Sequence, residues 1–172
     1  MRTYEPRFWD RFYLLALAQG LFITLVRFFK RKDTIQYPEK KHVPPAGYRG
    51  LHRLNKFDDG RIKCVACEMC QTACPAHCID IEPSAAPWED GEERYPVKFE
   101  IDLLRCIFCG FCEIACPKDA IELTEIYDFS AYTRDNLRID MEGLLKVFDV
   151  TKNGNVYARQ NRGERIEVPI AR

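Results

Sequence analysis

The sequence predicts a small α+β domain built from two copies of one unit, with an N-terminal amphipathic helix and an extended C-terminal arm. Two observations carry the domain prediction. The pattern C-x2-C-x2-C-x3-C-P occurs twice, starting at residues 64 and 106. Short apolar segments at 79–82, 97–101 and 121–124 have the alternation and length of strands. Each half is therefore expected to run strand, cysteine loop, short helix and strand, with a pseudo-twofold axis between the halves.

Both cysteine runs have the spacing with which bacterial-type two-cluster ferredoxins bind [4Fe–4S] clusters. Thiolates are preferred ligands of iron–sulfur clusters, and eight of them complete two clusters. In this motif the fourth cysteine, which precedes a proline, ligates the cluster of the other run. The predicted ligands are Cys64, Cys67, Cys70 and Cys116 for one cluster, named cluster 1, and Cys106, Cys109, Cys112 and Cys74 for the other, named cluster 2.

Two other roles for these cysteines are disfavoured. Zinc sites usually combine paired C-x2-C segments, four cysteines per ion, whereas each run here places three cysteines in one loop and a fourth before proline. A disulfide framework belongs to oxidising compartments, and the acidic residues Glu5 and Asp10 do not fit a signal peptide. The sequence therefore predicts one-electron transfer in a cytoplasm, without catalytic residues of its own.

A ninth cysteine, Cys78, lies outside the two runs. The repeat aligns it with Ala120, in CPAHCIDIE and CPKDAIELT respectively. A buried free cysteine behaves as a small apolar residue, so packing is the favoured role, with a spare ligand or a redox-sensitive thiol as alternatives. We expect His52 and His42 to be structural or to contact other subunits. The residues expected to shield the clusters from water are Val65, Met69 and Ile79 for cluster 1 and Ile107, Phe108, Phe111 and Ile114 for cluster 2.

The charge of the chain is strongly uneven although its formal net charge is zero. Residues 64–128 carry four Lys/Arg and fourteen Asp/Glu, whereas residues 1–32 carry seven Lys/Arg and two Asp/Glu. An acidic centre with basic extensions indicates docking on a membrane surface or on acidic subunits. Nucleic-acid binding is disfavoured, because the basic stretches lack interleaved aromatic residues and the central domain is acidic.

The N-terminal segment has the pattern of an amphipathic helix. Its apolar stretch of about 14 residues is short for a membrane span, which needs about 20. A cluster of cations at residues 27–32 follows it, and such cations suit a helix C-terminus and anionic lipid head groups. The segment is therefore expected to lie at the membrane interface or against a membrane subunit, with packing on the protein's own core as the alternative. One face holds Leu14, Leu17, Ala18, Leu21, Phe22, Leu25, Phe28 and Phe29.

Composition divides the chain into four predicted parts. Residues 1–32 form the docking helix, and residues 33–60 form an extended linker rich in proline and glycine. Residues 61–126 hold the two-cluster domain. Residues 127–172 form a C-terminal arm for subunit contacts, with a helix from about Met141 to Phe148 and a final tail of low apolar content.

These residues together resemble a family, chain I of bacterial NADH:quinone oxidoreductase, which is respiratory complex I. The resemblance covers about residues 14–145 and rests on more than the cysteines. The matching features are the apolar helix with Gly20 and Thr24, Tyr37-Pro38, Arg49-Gly50-x-His52, both cysteine runs, Glu93-Arg94-Tyr95, residues 104–110, and Tyr127, Arg134 and Leu137.

The resemblance implies an iron–sulfur subunit of a proton-translocating oxidoreductase. Such a subunit relays electrons through two [4Fe–4S] clusters toward the quinone site of a neighbouring subunit. Its partners would be the peripheral-arm and membrane-arm subunits, and it would lie peripherally at the cytoplasmic face of the bacterial inner membrane. The alternatives are the equivalent subunit of a related membrane-bound hydrogenase or a soluble two-cluster ferredoxin.

Overall fold

The computed structural model describes residues 13–85 and 94–167. The predicted docking helix therefore lies outside the described residues over 1–12, as do Glu93 of the resemblance and the end of the predicted arm. The chain divides into two compact units, the first ending at Gln36 and the second beginning at Tyr37.

The first unit is built on one helix, α1 (Tyr13–Phe28). It has no acidic residue in its first turn and carries Arg27 in its last turn, where a cation interacts favourably with the helix dipole. The Thr24 hydroxyl donates a hydrogen bond to the Leu21 carbonyl at 2.8 Å, within the helix. Within the described ranges, no helix combines the length and the apolar character needed to cross a membrane.

The second unit contains two antiparallel sheets. Strand β1 (His52–Leu54) pairs with β4 (Ile121–Leu123), so that one sheet joins the beginning of the unit to its second half. Strands β2 (Ile79–Ala85), β3 (Arg94–Asp102) and β5 (Arg138–Ile139) form the other sheet in the order β2-β3-β5. Two short helices, α2 (Met69–Ala73) and α3 (Phe111–Ile114), each follow a cysteine loop.

The alternation in β2 and β3 creates the core of this unit. Ile79 and Ile81 of β2 are buried beside Phe99 and Ile101 of β3, and charged residues occupy the positions between them. Burying one such side chain contributes about 1.5–3 kcal/mol. Ile81 and Phe99 of this core also line the cavity where the cysteine loops converge.

The beginning of the second unit differs from the extended linker that the sequence predicts over 33–60. The Gly50 amide donates a hydrogen bond to the Thr124 carbonyl at 2.7 Å, and β1 follows immediately. A Cβ at Gly50 would lie 2.2 Å from the Ile126 carbonyl oxygen, so only glycine permits this close approach. A strand of three residues is too short to show a period in the sequence, and its partner lies about 70 residues away.

The C-terminal part also differs from the predicted extended arm. Helix α4 (Met141–Thr151) begins at Asp140, whose side chain accepts a hydrogen bond from the Gly143 amide at 2.8 Å, and extends past the predicted end at Phe148. A further helix, α5 (Val156–Gln160), buries Val156 and Tyr157 completely. The low average apolar content conceals these two residues, which is why the sequence indicated a tail.

Candidate metal centre

Four cysteine side chains line the first of two cavities in the second unit. This cavity brings Cys116 of the second run to three cysteines of the first run. Apolar residues, among them Ile81 and Phe99, also line it, together with the charged residues Glu68 and Lys118. The cysteines that line it are Cys64, Cys67, Cys70 and Cys116.

The second cavity has the reciprocal composition. Cys74 leaves its own run and joins the three loop cysteines of the second run. Two residues outside the motif, Cys78 and His52, also line this cavity. The cysteines of the second run that line it are Cys106, Cys109 and Cys112.

Left-handed backbone conformations curl the two cysteine loops around these cavities. Glu68 and Phe108 have φ values of 61° and 52°, and Gly110 has 83°. Such conformations are unfavourable for residues other than glycine, so they mark positions where the surrounding structure imposes the bend. The bend allows cysteines spaced three residues apart to face one cavity.

Backbone amides point at several of the cysteine sulfurs. The Phe108 amide donates to Cys106 Sγ at 3.3 Å, and the Ala120 amide donates to Cys116 Sγ at 3.2 Å. A weaker contact of 3.5 Å joins the Ala66 amide to Cys64 Sγ. Hydrogen bonds of this kind orient a sulfur and stabilise its thiolate form, which is the form that binds metal.

Burial acts in the opposite direction on the free thiols. It raises the pKa of Cys64 to about 11 and the pKa values of Cys70 and Cys112 to about 12, and neighbouring cysteines add to the effect. Removing four thiol protons to place four thiolates around one apolar cavity is therefore unfavourable without positive charge inside it. Iron ions supply that charge, so loading the site releases protons.

The donor set fits iron–sulfur clusters better than a single metal ion. In the described part of the chain, no group of three or more His, Cys, Asp or Glu residues is placed to hold one ion. The thiols instead line two cavities, each with four motif cysteines. Four soft thiolates per site are the ligand set that [4Fe–4S] clusters require.

His52 contributes to the second cavity in a way that sequence reasoning missed. Its side chain is 1% exposed, its Nε2 lies 3.9 Å from Cys106 Sγ, and its ring lies 5.6 Å from that of Phe108. Burial lowers the pKa of His52 to about 4, so the imidazole is neutral at physiological pH. His52 is the first residue of strand β1, which is too short to show a period in the sequence.

The predicted water shield is only partly in place. Val65 lines the first cavity, but Ile79 lines the second cavity and not the first, because β2 begins between them. Of the residues predicted to shield cluster 2, Ile107, Phe111 and Ile114 are more than half exposed, although Ile107 also lines the second cavity. Met69, which was predicted to shield cluster 1, is more than half exposed as well.

Comparisons with known proteins identify the family of this domain. A family model described as a 4Fe-4S dicluster domain matches residues 63–120. Subunit I 2 of NADH-quinone oxidoreductase from Rhizobium meliloti (strain 1021) is 49% identical over 152 residues, which cover 87% of this chain and 79% of that protein. Subunit I of NADH-quinone oxidoreductase from Campylobacter fetus subsp. fetus (strain 82-40) is 45% identical, covering 84% and 91%.

A solved structure is also similar over most of the chain. It is a chain of the membrane-bound sulfane sulfur reductase, an archaeal respiratory membrane complex. The two share 25% sequence identity at a TM-score of 0.54, covering 90% of this chain and 75% of the other.

Proposed function

Because the chain belongs to the NADH-quinone oxidoreductase subunit I family, we propose that its eight motif cysteines bind two [4Fe–4S] clusters in crossed sets. Members of this family are iron–sulfur electron-transfer subunits of complex I and carry two such clusters. The chain is accordingly part of an oxidoreductase and a subunit of a membrane-associated complex. The crossed assignment gives cluster 1 the ligand Cys116 and cluster 2 the ligand Cys74.

The observation that carries this assignment is the composition of the two cavities. Each contains three loop cysteines of one run and the proline-preceded cysteine of the other run. Cys74 and Cys116 follow α2 and α3, and these helices direct each fourth cysteine away from its own loop. A pseudo-twofold relation between the halves, β1-α2-β2 and β3-α3-β4, accounts for two equivalent sites.

The clusters supply the chemistry of reversible one-electron reduction, and the protein controls where and how easily it occurs. The cysteines hold the clusters, and the core around Ile81 and Phe99 excludes water from the first cavity. Backbone amides at Ala120 and Phe108 stabilise additional negative charge on the sulfurs. No side chain is needed as a general acid or base, because no bond to a substrate is made or broken.

We place the chain at the cytoplasmic face of a bacterial inner membrane, where α1 docks on the membrane interface or a membrane subunit. The apolar face of α1 and its C-terminal cations support this position. Apolar residues on the cysteine loops, Ile107 and Ile114 among them, are exposed and suit contacts with neighbouring subunits. Electrons would leave toward the quinone site through such a contact.

The crossed assignment is tested with single Cys→Ser variants in the intact membrane complex, followed by electron paramagnetic resonance of each cluster signal. We expect Cys116→Ser to perturb the same signal as Cys64→Ser, and Cys74→Ser to perturb the same signal as Cys106→Ser. The reverse grouping, in which Cys116→Ser matches Cys106→Ser, would contradict the assignment. Because serine oxygen can replace a thiolate weakly, changed spectra are informative even where iron remains bound.

A second candidate is the equivalent subunit of a related membrane-bound respiratory complex. The structural similarity to a chain of the archaeal sulfane sulfur reductase favours it. Mass spectrometry of the tagged chain purified in mild detergent separates the two. NADH-oxidising subunits in the purified complex support complex I, hydrogenase-like subunits support the second candidate, and recovery of a lone soluble protein contradicts both.

A further inference from the structure

Cys78 is the one cysteine that neither cluster requires, yet it lies beside the cluster 2 ligands. It is 5% exposed and lines the second cavity. Its Sγ lies 3.4 Å from Cys74 Sγ, within hydrogen-bond distance for sulfur. His52 is a second buried polar residue that lines the same cavity. Its Nδ1 atom has no hydrogen-bond partner among the residues described.

The internal repeat provides a matched comparison for this cysteine. Ala120 occupies the corresponding position, is buried, and lines the first cavity. The Ala120 amide donates a hydrogen bond to Cys116 Sγ, the fourth cysteine of its run, at 3.2 Å. At this repeat position the two sites differ by one side-chain donor, because Cys78 has a thiol where Ala120 has a methyl group. His52 is a separate difference that the Cys78 and Ala120 variants leave unchanged.

The direction of the hydrogen bond follows from the charges. A cysteine that binds the cluster is a thiolate and can only accept a hydrogen bond. Cys78 does not bind the cluster and stays a neutral thiol, because a further negative charge beside an anionic cluster would be unfavourable. The S–H group of Cys78 is thus the donor and Cys74 Sγ the acceptor. A donor to a ligand sulfur stabilises the reduced, more negative cluster more than the oxidised one.

We propose that the Cys78 thiol donates a hydrogen bond to Cys74 Sγ and thereby raises the reduction potential of cluster 2, an effect that cluster 1 lacks. This inference rests on the proposed assignment of Cys74 to cluster 2. Cys78 is a positioning and tuning residue in this role and is itself neither oxidised nor bound to iron. This contribution favours reduction of cluster 2 over reduction of cluster 1.

The test is a potentiometric titration of both cluster signals in the intact complex carrying Cys78→Ala, Cys78→Ser or Ala120→Cys. For Cys78→Ala we expect the equilibrium constant for reducing cluster 2 to fall by up to tenfold, about 59 mV for one electron, with cluster 1 unchanged. Cys78→Ser retains a donor and should shift less. Ala120→Cys should raise the potential of cluster 1, and Ala120→Ser supplies the same kind of donor if the larger side chain prevents assembly.

A spectroscopic readout separates the hydrogen bond from simple packing. Electron–nuclear double resonance in D₂O should show one exchangeable proton coupling on reduced cluster 2 that is absent in Cys78→Ala. An unchanged cluster 2 potential in Cys78→Ala, or a shift of cluster 1 instead, would overturn the proposal. Loss of cluster 2 iron in Cys78→Ala would overturn it in favour of a ligand role, and absence of [4Fe–4S] signals in the unmodified complex would refute the proposed function itself.

Discussion

Tyr157 shows how much one buried side chain contributes to the C-terminal part of the protein. Its hydroxyl accepts hydrogen bonds from the amides of Tyr127 at 3.0 Å and Asp128 at 2.8 Å, and its ring stacks on that of Tyr127 at 4.4 Å. Two backbone amides after β4 therefore have a side chain of α5 as their hydrogen-bond acceptor. A single phenol oxygen connects two parts of the chain about 30 residues apart.

Tyr157→Phe tests this connection. The substitution keeps the ring but leaves two amide donors without their acceptor, and we expect it to lower the free energy of unfolding by roughly 1–3 kcal/mol. Tyr132→Phe is the matched control, since Tyr132 is fully exposed and should change stability by less than about 0.5 kcal/mol. Thermal denaturation under anaerobic conditions measures both, and equal stability of the two variants would contradict the structural role of the hydroxyl.

At the scale of elements, Arg53 connects β1, β4 and α4. Its guanidinium bonds Glu122 on β4 at 2.5 and 2.9 Å, donates to Thr151 Oγ1 at 2.9 Å, and lies 5.5 Å from the Phe148 ring centroid. Both charged side chains are partly buried. A planar group with several donors suits this position, because it contacts β4 and α4 at once.

We expect Arg53→Lys to lower the free energy of unfolding by about 1–2 kcal/mol, because an ammonium group cannot make the bidentate contact and the contact to Thr151 together. Lys146→Ala provides the control, since it removes the exposed helical pair with Glu142 at 2.6 Å, worth at most about 0.5 kcal/mol. Urea titration compares the two variants. If Arg53→Lys costs no more than Lys146→Ala, the guanidinium contacts do not stabilise the packing of β1.

The same element scale explains what the sequence could and could not predict. The cysteine loops and the strands at 79–82 and 121–123 were predictable, because a metal motif and local alternation are properties of short segments. Strand β1 and the pairing of Arg53 with Glu122 were not, because three residues show no period and the partner strand is distant in sequence. For the same reason the position of His52 in the second cavity could not be predicted. Helix α5 could not be predicted because the last residues have a low average apolar content.

At the scale of the whole molecule, the proposed crossed cysteine sets would make each half depend on the other. Cys116 completes the first cavity and Cys74 completes the second, so each run closes the site of its neighbour. The proposed cluster domain spans about 65 residues, a size at which a core alone is rarely sufficient and metal or other cross-links are needed. Each fourth cysteine would then connect the two halves by coordinating the cluster that the other half holds. Metal binding would thereby become part of the folding free energy.

Removal of iron should therefore be cooperative. When a chelator extracts one cluster from the chain, the other loses the structural support of its fourth ligand and of the shared core, and we expect both cluster signals to decay with the same time course. Electron paramagnetic resonance and iron analysis of anaerobic samples taken during chelation would follow the loss. A species that retains four irons and one intact cluster signal over several half-lives of the other would contradict the crossed arrangement. Uncrossed cysteine sets would produce that species, because each run would then hold its own cluster independently.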